Sequence, residues 1–503
     1  MAEAPLYEIS RDPEGRPPRR YFFFEERLPE AAYGVRRVYG PVSKHPARLA
    51  GNPAGVNTAT FAGSIVKLAG GGYRLYATSY LSAERTMEIT AWESERGLDW
   101  KPVRMPGSQA SRLGKNVVRI KGLKDRLLSY QPQVFQLGPK NWVMYAWNRF
   151  ENNHLSYLRA VSADGLDWRA DTATEPVFYH PSKFGLGEWV SGVPLREIKN
   201  LAITKAEALE CMRLASNDSV YLYHHPETGC YDGYAVWLHP AIPDRRVEVD
   251  NASSVLRLIQ RRWSRDGRHW SDPELVISPD ERDPWDLQFY YLAVQWHRDW
   301  RIGSLGRYRV EDGQQTMDLE LCFSRDGRKW ERPMRAGFIP RPPESSGEID
   351  TLMVYGPNTW LDEGKEWLCL YTGHPTRHNE RVEKRTGLLG ARFRKDRLAG
   401  LAADRAGGGF LSEPFILAGP ELRVDAAVRG WLRAELCDAF GRKLPGFHLM
   451  DCRPLTGDRE AHRLTWKKGN PGDHIYRALR LRFEFCDAEI YNFSDESDYG
   501  RRE

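Results

Sequence analysis

One seven-residue pattern recurs through the chain and restricts its fold more than any other feature. Ser264-Arg265-Asp266-Gly267-Arg268-His269-Trp270 and Ser324-Arg325-Asp326-Gly327-Arg328-Lys329-Trp330 both read S-x-D-G-x-x-W. Ser162-Ala163-Asp164-Gly165-Leu166-Asp167-Trp168 is a third copy, and Ser94-Glu95-Arg96-Gly97-Leu98-Asp99-Trp100 a fourth with Arg96 in the Asp place. Asp accepts hydrogen bonds from backbone N–H groups ahead of it, Gly supplies the positive φ of a tight turn, and Trp drops back onto a hydrophobic layer. The copies at 162 and 324 follow apolar runs at 155–161 and 319–323, as a strand entering a hairpin would. Their serines stand 68, 102 and 60 residues apart, which suits one four-stranded propeller blade per copy with a large insertion in one.

The chain between the copies fits that reading. Residues 1–45 read as an arm whose Tyr21-Phe22-Phe23-Phe24 cluster must dock on the body, and 41–46 lead into the first blade. Blade one is a strand, the turn Gly70-Gly71-Gly72 and a second strand, with apolar residues that tend to alternate. Blade two runs from Leu128 to the copy at 162, and blade three opens near Asn217. A helix is expected over 201–210, on an excursion at one rim. Blade four runs from Asp286 to the copy at 324; blade five opens near Glu348 and ends at Phe393 without a copy. Gly407-Gly408-Gly409 reads as a boundary, followed by short alternating strands. The expected fold is all-β: an arm (1–45), a five-bladed β-propeller (46–405), a C-terminal β-sandwich (406–493) and a charged tail (494–503).

Composition narrows the function. There are 73 basic and 68 acidic residues, and no Lys/Arg tract interleaved with aromatics, which argues against nucleic acid. No stretch approaches a membrane span and no apolar leader opens the chain, so no membrane partner and a cytoplasmic location are expected. Seven scattered cysteines without C-x-x-C spacing suit free thiols. The 17 Trp and 23 Tyr suit stacked sheets and also sugar rings, whose apolar faces lie on aromatics. His374 and His378 have H-x-x-x-H spacing, but Pro375 argues against the helix a zinc site needs, so no metal ligand is assigned. No cofactor is expected, although a structural calcium in the propeller is compatible with the sequence. Lipase, P-loop and dinucleotide glycine motifs are absent.

A five-unit propeller with these turns and an attached C-terminal unit resembles the glycoside hydrolase superfamily of families 32, 43 and 68. Residues 432–438, Pro445-Gly446-Phe447 and Asp451-Cys452 resemble the sandwich of family 32-type enzymes. The resemblance implies a glycosidase acting on a fructoside- or arabinoside-type sugar or oligosaccharide. Where family 32 carries W-x-N-D-P-N-G with its nucleophile, this chain has Gly51-Asn52-Pro53-Ala54-Gly55 without a carboxylate. Arg282-Asp283-Pro284 matches that family's R-D-P triplet but precedes blade four, and the E-C dipeptide occurs as Glu210-Cys211 in the expected helix.

Glycoside cleavage needs two carboxyl groups across a pocket, one to protonate the leaving oxygen and one to act as nucleophile or activate water. Innermost strands line a propeller's cavity, so acids at blade openings are the candidates: Asp218, Asp283, Asp286, Glu348 and Asp350. Asp286 is assigned as base or nucleophile, Glu348 as proton donor, and Asp218 as the residue that orients substrate or tunes the donor. Asp286 and Gln288 share a strand face by the period of two, as do Glu348 and Asp350. Asp283, Gln288, Asp350, Trp285, Tyr130, Tyr290, Tyr355 and His224 are the expected substrate contacts. A non-catalytic carbohydrate-binding propeller, a six-bladed sialidase-like enzyme and a propeller phosphorylase are the alternatives.

Overall fold

The computed structural model describes residues 20–52, 56–81, 86–107, 113–124, 126–150, 155–171, 176–179, 213–216, 219–240, 255–310, 315–357, 359–378, 380 and 385–495. Its named elements are strands and three short 3-10 turns. The helix expected over 201–210 and Glu210-Cys211 lie outside the described residues.

Five blades surround one axis. From the inside outward, blade one is Val56–Lys67, Tyr73–Leu81, Thr86–Ser94 and Asp99–Pro102; blade two is Arg126–Gly138, Asn141–Phe150, Leu155–Ser162 and Trp168–Ala170. Blade three is Val220–His224, Tyr231–Pro240, Val255–Ser264 and Glu274–Ile277, and blade four is Leu287–His297, Trp300–Arg309 and Thr316–Ser324. Blade five is Met353–Tyr355, Glu366–His374 and Gly387–Arg394, closed on its outer edge by Ser43–Pro46 from the start of the chain. Residues 43–46 were expected to lead into blade one. Instead Lys44 pairs Ala391 and His45 pairs Gly390, so the last blade is finished by an early strand.

The ring closes at five because each blade boundary has its own apolar core. Tyr76, Ile89, Trp142 and Met144 join blades one and two, and Tyr145, Trp147, Val220 and Tyr231 join two and three. Tyr234, Ile259, Phe289 and Leu292 join three and four, and Ile302, Phe323, Val354 and Trp367 join four and five. Leu75, Trp92, Leu361 and Leu368 join five back to one.

The heptads act as the sequence suggests. At 264 the Ser264 Oγ donates to Asp266 Oδ1 (3.1 Å), and that oxygen accepts from the N–H groups of Arg268 and His269 (2.8 and 2.9 Å). Gly165, Gly267 and Gly327 all have φ between 72° and 75°. Trp100, Trp168, Trp270 and Trp330 are buried, each contributing roughly 4–6 kcal/mol of gross transfer free energy at ~25 cal/mol per Å2. The turns also latch neighbouring blades. Tyr76 Oη donates to Gly165 O (2.6 Å), Tyr145 Oη to Gly267 O (2.9 Å) and Tyr234 Oη to Gly327 O (3.0 Å), each from one blade to the heptad of the next.

The C-terminal strands, expected as a sandwich from residue 406, hydrogen-bond into one nine-stranded sheet around a shared core. Its spine is the long pair Arg423–Asp438 and Ala478–Ser494, bulged between Val428 and Trp431. Two expected boundaries move. Ala399–Ala403 already belongs to this sheet, and so do the arm strands Arg20–Phe22, Glu30–Tyr33 and Arg36–Tyr39. The glycine run expected to separate the domains instead starts a strand, Gly408–Leu411, that pairs with Ala478–Ser494. The strand Ala478–Ser494 takes in Ser494, and the buried Asp495 accepts from the Gly419 N–H (3.1 Å), so these two residues, expected in the tail, are held by the C-terminal unit. The arm staples the two units by strand alternation. Tyr21 and Phe23 pack into the C-terminal core, while Phe22 and Phe24 pack between blades four and five.

Candidate functional site

Three of the five innermost strands carry a register shift: between Ala59 and Ser64, between Tyr130 and Gln133, and between Phe289 and Leu292. A bulge breaks the period of two and re-aims side chains. In blade four it lets consecutive residues, Tyr290 and Tyr291, both join the axial cluster with Tyr221, Tyr308 and Tyr355. Tyr221 Oη donates to Gly356 O (3.0 Å), and Tyr291 Oη donates to Val354 O (3.3 Å) and accepts from the Gly356 N–H (3.1 Å). Tyrosines therefore fill the axis beside blades three to five.

The two mouths of the ring differ. Heptads crowd one; the innermost strands begin at the other. Asp286 immediately precedes Leu287–His297 at the second mouth, buried, with Oδ1 accepting from Arg309 Nε (2.6 Å). Arg309 follows because Leu287 and Arg309 are register partners. Gln288 is buried on the next strand position, and its Oε1 accepts from Arg257 N (3.0 Å) and Nη1 (2.9 Å). Beside them Trp285 is 62% exposed.

On blade five, Asp350 is buried and Oδ2 accepts from Lys44 Nζ (2.7 Å) and Tyr371 Oη (2.8 Å). Lys44 reaches it because residues 43–46 form that blade's outer edge. Glu348 is exposed. The strand expected from Glu348 begins only at Met353; before it lies the 3-10 turn Glu344–Ser346, with Gly347 at φ 76°. Glu348 and Asp350 thus share no strand face, yet both act on one group. Burial raises the Tyr371 hydroxyl far above its ordinary value, and the charges of Asp350 and Glu348 push it further.

A chain of contacts joins the two acids' surroundings. Asp350 packs over Gly373, and His374 lies at ring contact with Tyr355 (5.2 Å). Tyr355 Oη lies 3.1 Å from His378 Nδ1, and His378 Nε2 lies 3.2 Å from Tyr290 Oη. The Arg257 guanidinium sits 5.4 Å from the Tyr290 ring and 5.2 Å from the Tyr308 ring, and it returns to Gln288. Asp286, Gln288, Tyr290, Tyr355 and Asp350 are therefore brought into one neighbourhood at one mouth. His378 is its midpoint. Its H-x-x-x-H spacing was the available signal, read only against a helical zinc site.

Other expected site residues lie elsewhere. The side chain of Asp283 is fully buried at the start of blade four, where Arg332 Nη1 and Nη2 donate to it (2.7 and 2.9 Å) and Arg335 adds a third contact (3.1 Å). Burial alone would raise its carboxyl, and these bonds hold it below the usual range. Its turn is tied by ion pairs to blade and arm, with Arg335 bonded to Asp280 and both Arg335 and Arg282 bonded to Glu26. His224 lies at the heptad mouth, since its register partner Tyr231 pairs Ser264, and its ring packs on Tyr231 (4.7 Å). Burial and His225 lower its imidazole. Tyr130 is buried between blades two and three, at the bulge where Gln131 has φ 52°. Asp218 lies outside the described residues. Among the described residues, no group of three or more His, Cys, Asp or Glu is arranged to hold a metal, and no helix is long and apolar enough to cross a membrane.

No protein-family model matches the chain, and no curated protein is similar to it in sequence. Solved structures do resemble it. A protein described as a glycoside hydrolase has 12% identity and TM-score 0.46, over 71% of this chain and 92% of its own. A thermostable family-43 glycoside hydrolase has 13% identity and TM-score 0.40, over 67% and 91%. A member of the GH130 family, whose title names mannoside phosphorylases and glycoside hydrolases of β-1,2 mannosidic linkages in Candida mannan, has 12% identity and TM-score 0.42, over 76% and 99%. Likeness at this level assigns no reaction to the chain.

Proposed function

We propose that this propeller binds a small sugar or oligosaccharide at the mouth where its innermost strands begin, and cleaves a glycosidic bond there. The observation that carries the reading is the grouping of Asp286, Glu348 and Asp350 with Trp285, Tyr290 and Tyr355 at that mouth. Paired acids supply the chemistry of glycoside cleavage, and aromatic faces receive sugar rings. In this reading Asp286, aligned by Arg309, is base or nucleophile. Glu348, open to solvent, is the proton donor, and Asp350 with Asp218 tunes and orients it. A fructoside- or arabinoside-type substrate and a family 32-type origin for the C-terminal sheet belong to the same proposal. So does a reducing, cytoplasmic setting, supported by six free cysteines among the described residues.

A non-catalytic carbohydrate-binding role is the second reading. It is favoured by Asp286 and Asp350, the two buried acids, each being already paired with a cation. A phosphorolytic variant would place phosphate near Arg309. The test is a screen of aryl-glycosides, fructans, arabinans and related oligosaccharides, with and without inorganic phosphate, beside Asp286→Asn and Glu348→Gln. Loss of turnover by roughly a hundred- to ten-thousandfold in both variants supports the enzyme reading. Sugar affinity without turnover selects the binding role. Turnover at full rate in both variants rules out these acids.

A further inference from the structure

We propose that the C-terminal unit carries a sugar site of its own, in which a uronate residue of a carbohydrate chain lies on the ring of Phe440 and is held through its carboxylate by Arg477. The inference rests on the carbohydrate reading for its class of ligand, and goes beyond that reading in place and chemistry. A groove of about 330 Å3 is lined by Asp438, Phe440 and Leu444 from one turn, and by Arg477 and Leu479 where Ala478–Ser494 begins. Every residue from 385 to 495 is described, so the groove's surroundings within this unit are on view.

Both groups are presented by rigid backbone. Asp438 Oδ1 accepts from the N–H groups of Phe440 and Arg442 (both 2.9 Å), and the Asp438 N–H donates to Arg442 O (2.8 Å). The ring held up by this turn is 80% exposed, even with the Arg442 guanidinium 5.1 Å from its centre. The Arg477 N–H donates to His474 O (3.2 Å), and its carbonyl accepts from the Leu417 N–H (3.2 Å). Its Nη1 donates to His474 Nδ1 (3.0 Å), and the His474 ring packs edge-on against the buried Phe447 (5.4 Å). Arg442, Lys443 and Arg480 face Asp438, Glu435 and Glu30. Arg477 is exposed and meets no carboxylate among the described residues.

An open aromatic face receives the apolar face of a pyranose, and a guanidinium with spare N–H groups receives a carboxylate through two parallel bonds. A uronate carries both features on one ring; a neutral sugar carries only the first. The charge of the groove therefore selects the acid form. A second copy of the chain is a poor occupant, because a twofold contact here sets Arg442, Lys443 and Arg477 against their own copies.

The test titrates the full chain by calorimetry with trigalacturonate, and with the same trisaccharide after its carboxylates are reduced to alcohols. The acid form is expected to bind about fivefold tighter. Phe440→Ala is expected to weaken both forms alike, by about three- to tenfold. Arg477→Met is expected to weaken the acid form alone and so erase the preference. Both side chains are exposed, so both variants are expected to unfold at the wild-type denaturant concentration. Asp286→Asn, which alters the propeller mouth, is expected to bind both forms as the wild type does. Binding of neither form overturns the proposal, as does a preference that survives Arg477→Met or a Phe440→Ala variant that binds like the wild type. Loss of binding in Asp286→Asn also overturns it, by moving the site to the mouth. A dimer in sedimentation that Phe440→Ala dissolves overturns it in favour of a second copy. A glycoside screen without turnover leaves this groove standing, and turnover with no binding here removes the groove alone.

Discussion

The hydroxyl of Tyr145 in blade two donates to the carbonyl oxygen of Gly267 in the heptad of blade three, at 2.9 Å. The same bond joins Tyr76 to Gly165 and Tyr234 to Gly327, so the repeated turn is also an inter-blade latch. Tyr145→Phe removes the donor and strands a buried carbonyl. A loss of about 1–3 kcal/mol is expected. Gly267→Ala should cost more, because its methyl would sit 2.1 Å from Tyr145 Oη at a backbone φ of 72°. Denaturant unfolding of the two variants measures the order.

Phe24 is fully buried and stacks on Phe323 at 4.0 Å, with Trp300 edge-on at 5.4 Å. Phe24→Ala empties that slot. A loss of about 3–5 kcal/mol is expected, with faster hydrogen exchange in residues 20–39, where the arm strands join the C-terminal sheet.

Asp283 and Glu26 are held below the ordinary carboxylate range: burial would raise each, and arginine bonds outweigh it. The folded state therefore binds fewer protons than the unfolded chain. Their stabilisation is complete above the unfolded value of about 4 and is lost as pH falls through the lowered folded values. The arm, which Glu26 ties to Arg335, Arg282 and the Arg332 N–H, should open in acid before the blades do. Exchange rates of residues 20–39 between pH 6 and pH 3 test this, and Asp283→Asn should flatten the dependence.

Lys44→Met leaves the buried Asp350 carboxylate without its cation. A destabilisation of about 3 kcal/mol is expected. Adding Asp350→Asn should recover part of it, since the unpaired charge goes too. A double-mutant cycle in denaturant reads the coupling directly.

What could be read before folding follows the range of the interactions. The heptads were legible because Ser, Asp, Gly and Trp act within seven residues of one another, and their spacing disclosed the blades. The latch tyrosines also sit in a short pattern, aromatic-x-x-Tyr-Ala at 73–77, 142–146 and 231–235, whose partner lies a blade away. Nothing local announces that 43–46 pairs with 389–392, or 36–39 with 399–402, and the domain edges moved for that reason. At the site, Asp286 could be singled out as an acid opening an aromatic strand. Asp283 three residues earlier could not be told from it, because its partner Arg332 is 49 residues on. Glu348 and Asp350 were paired by strand arithmetic on a segment that forms a turn. His378 could be read only against zinc, because the tyrosines it meets, Tyr290 and Tyr355, are contributed by different blades.

Finishing the last blade with an early strand has a consequence for how the polypeptide matures. As the chain is made, residues 43–46 emerge long before 387–394 exist to receive them. Until then blade five has a raw outer edge, open to any passing strand. Closing it is a late, long-range event of the kind that slows assembly and exposes intermediates to aggregation. Once made, it binds both extremities of the ring in a single clasp, so that neither terminal blade can fray alone.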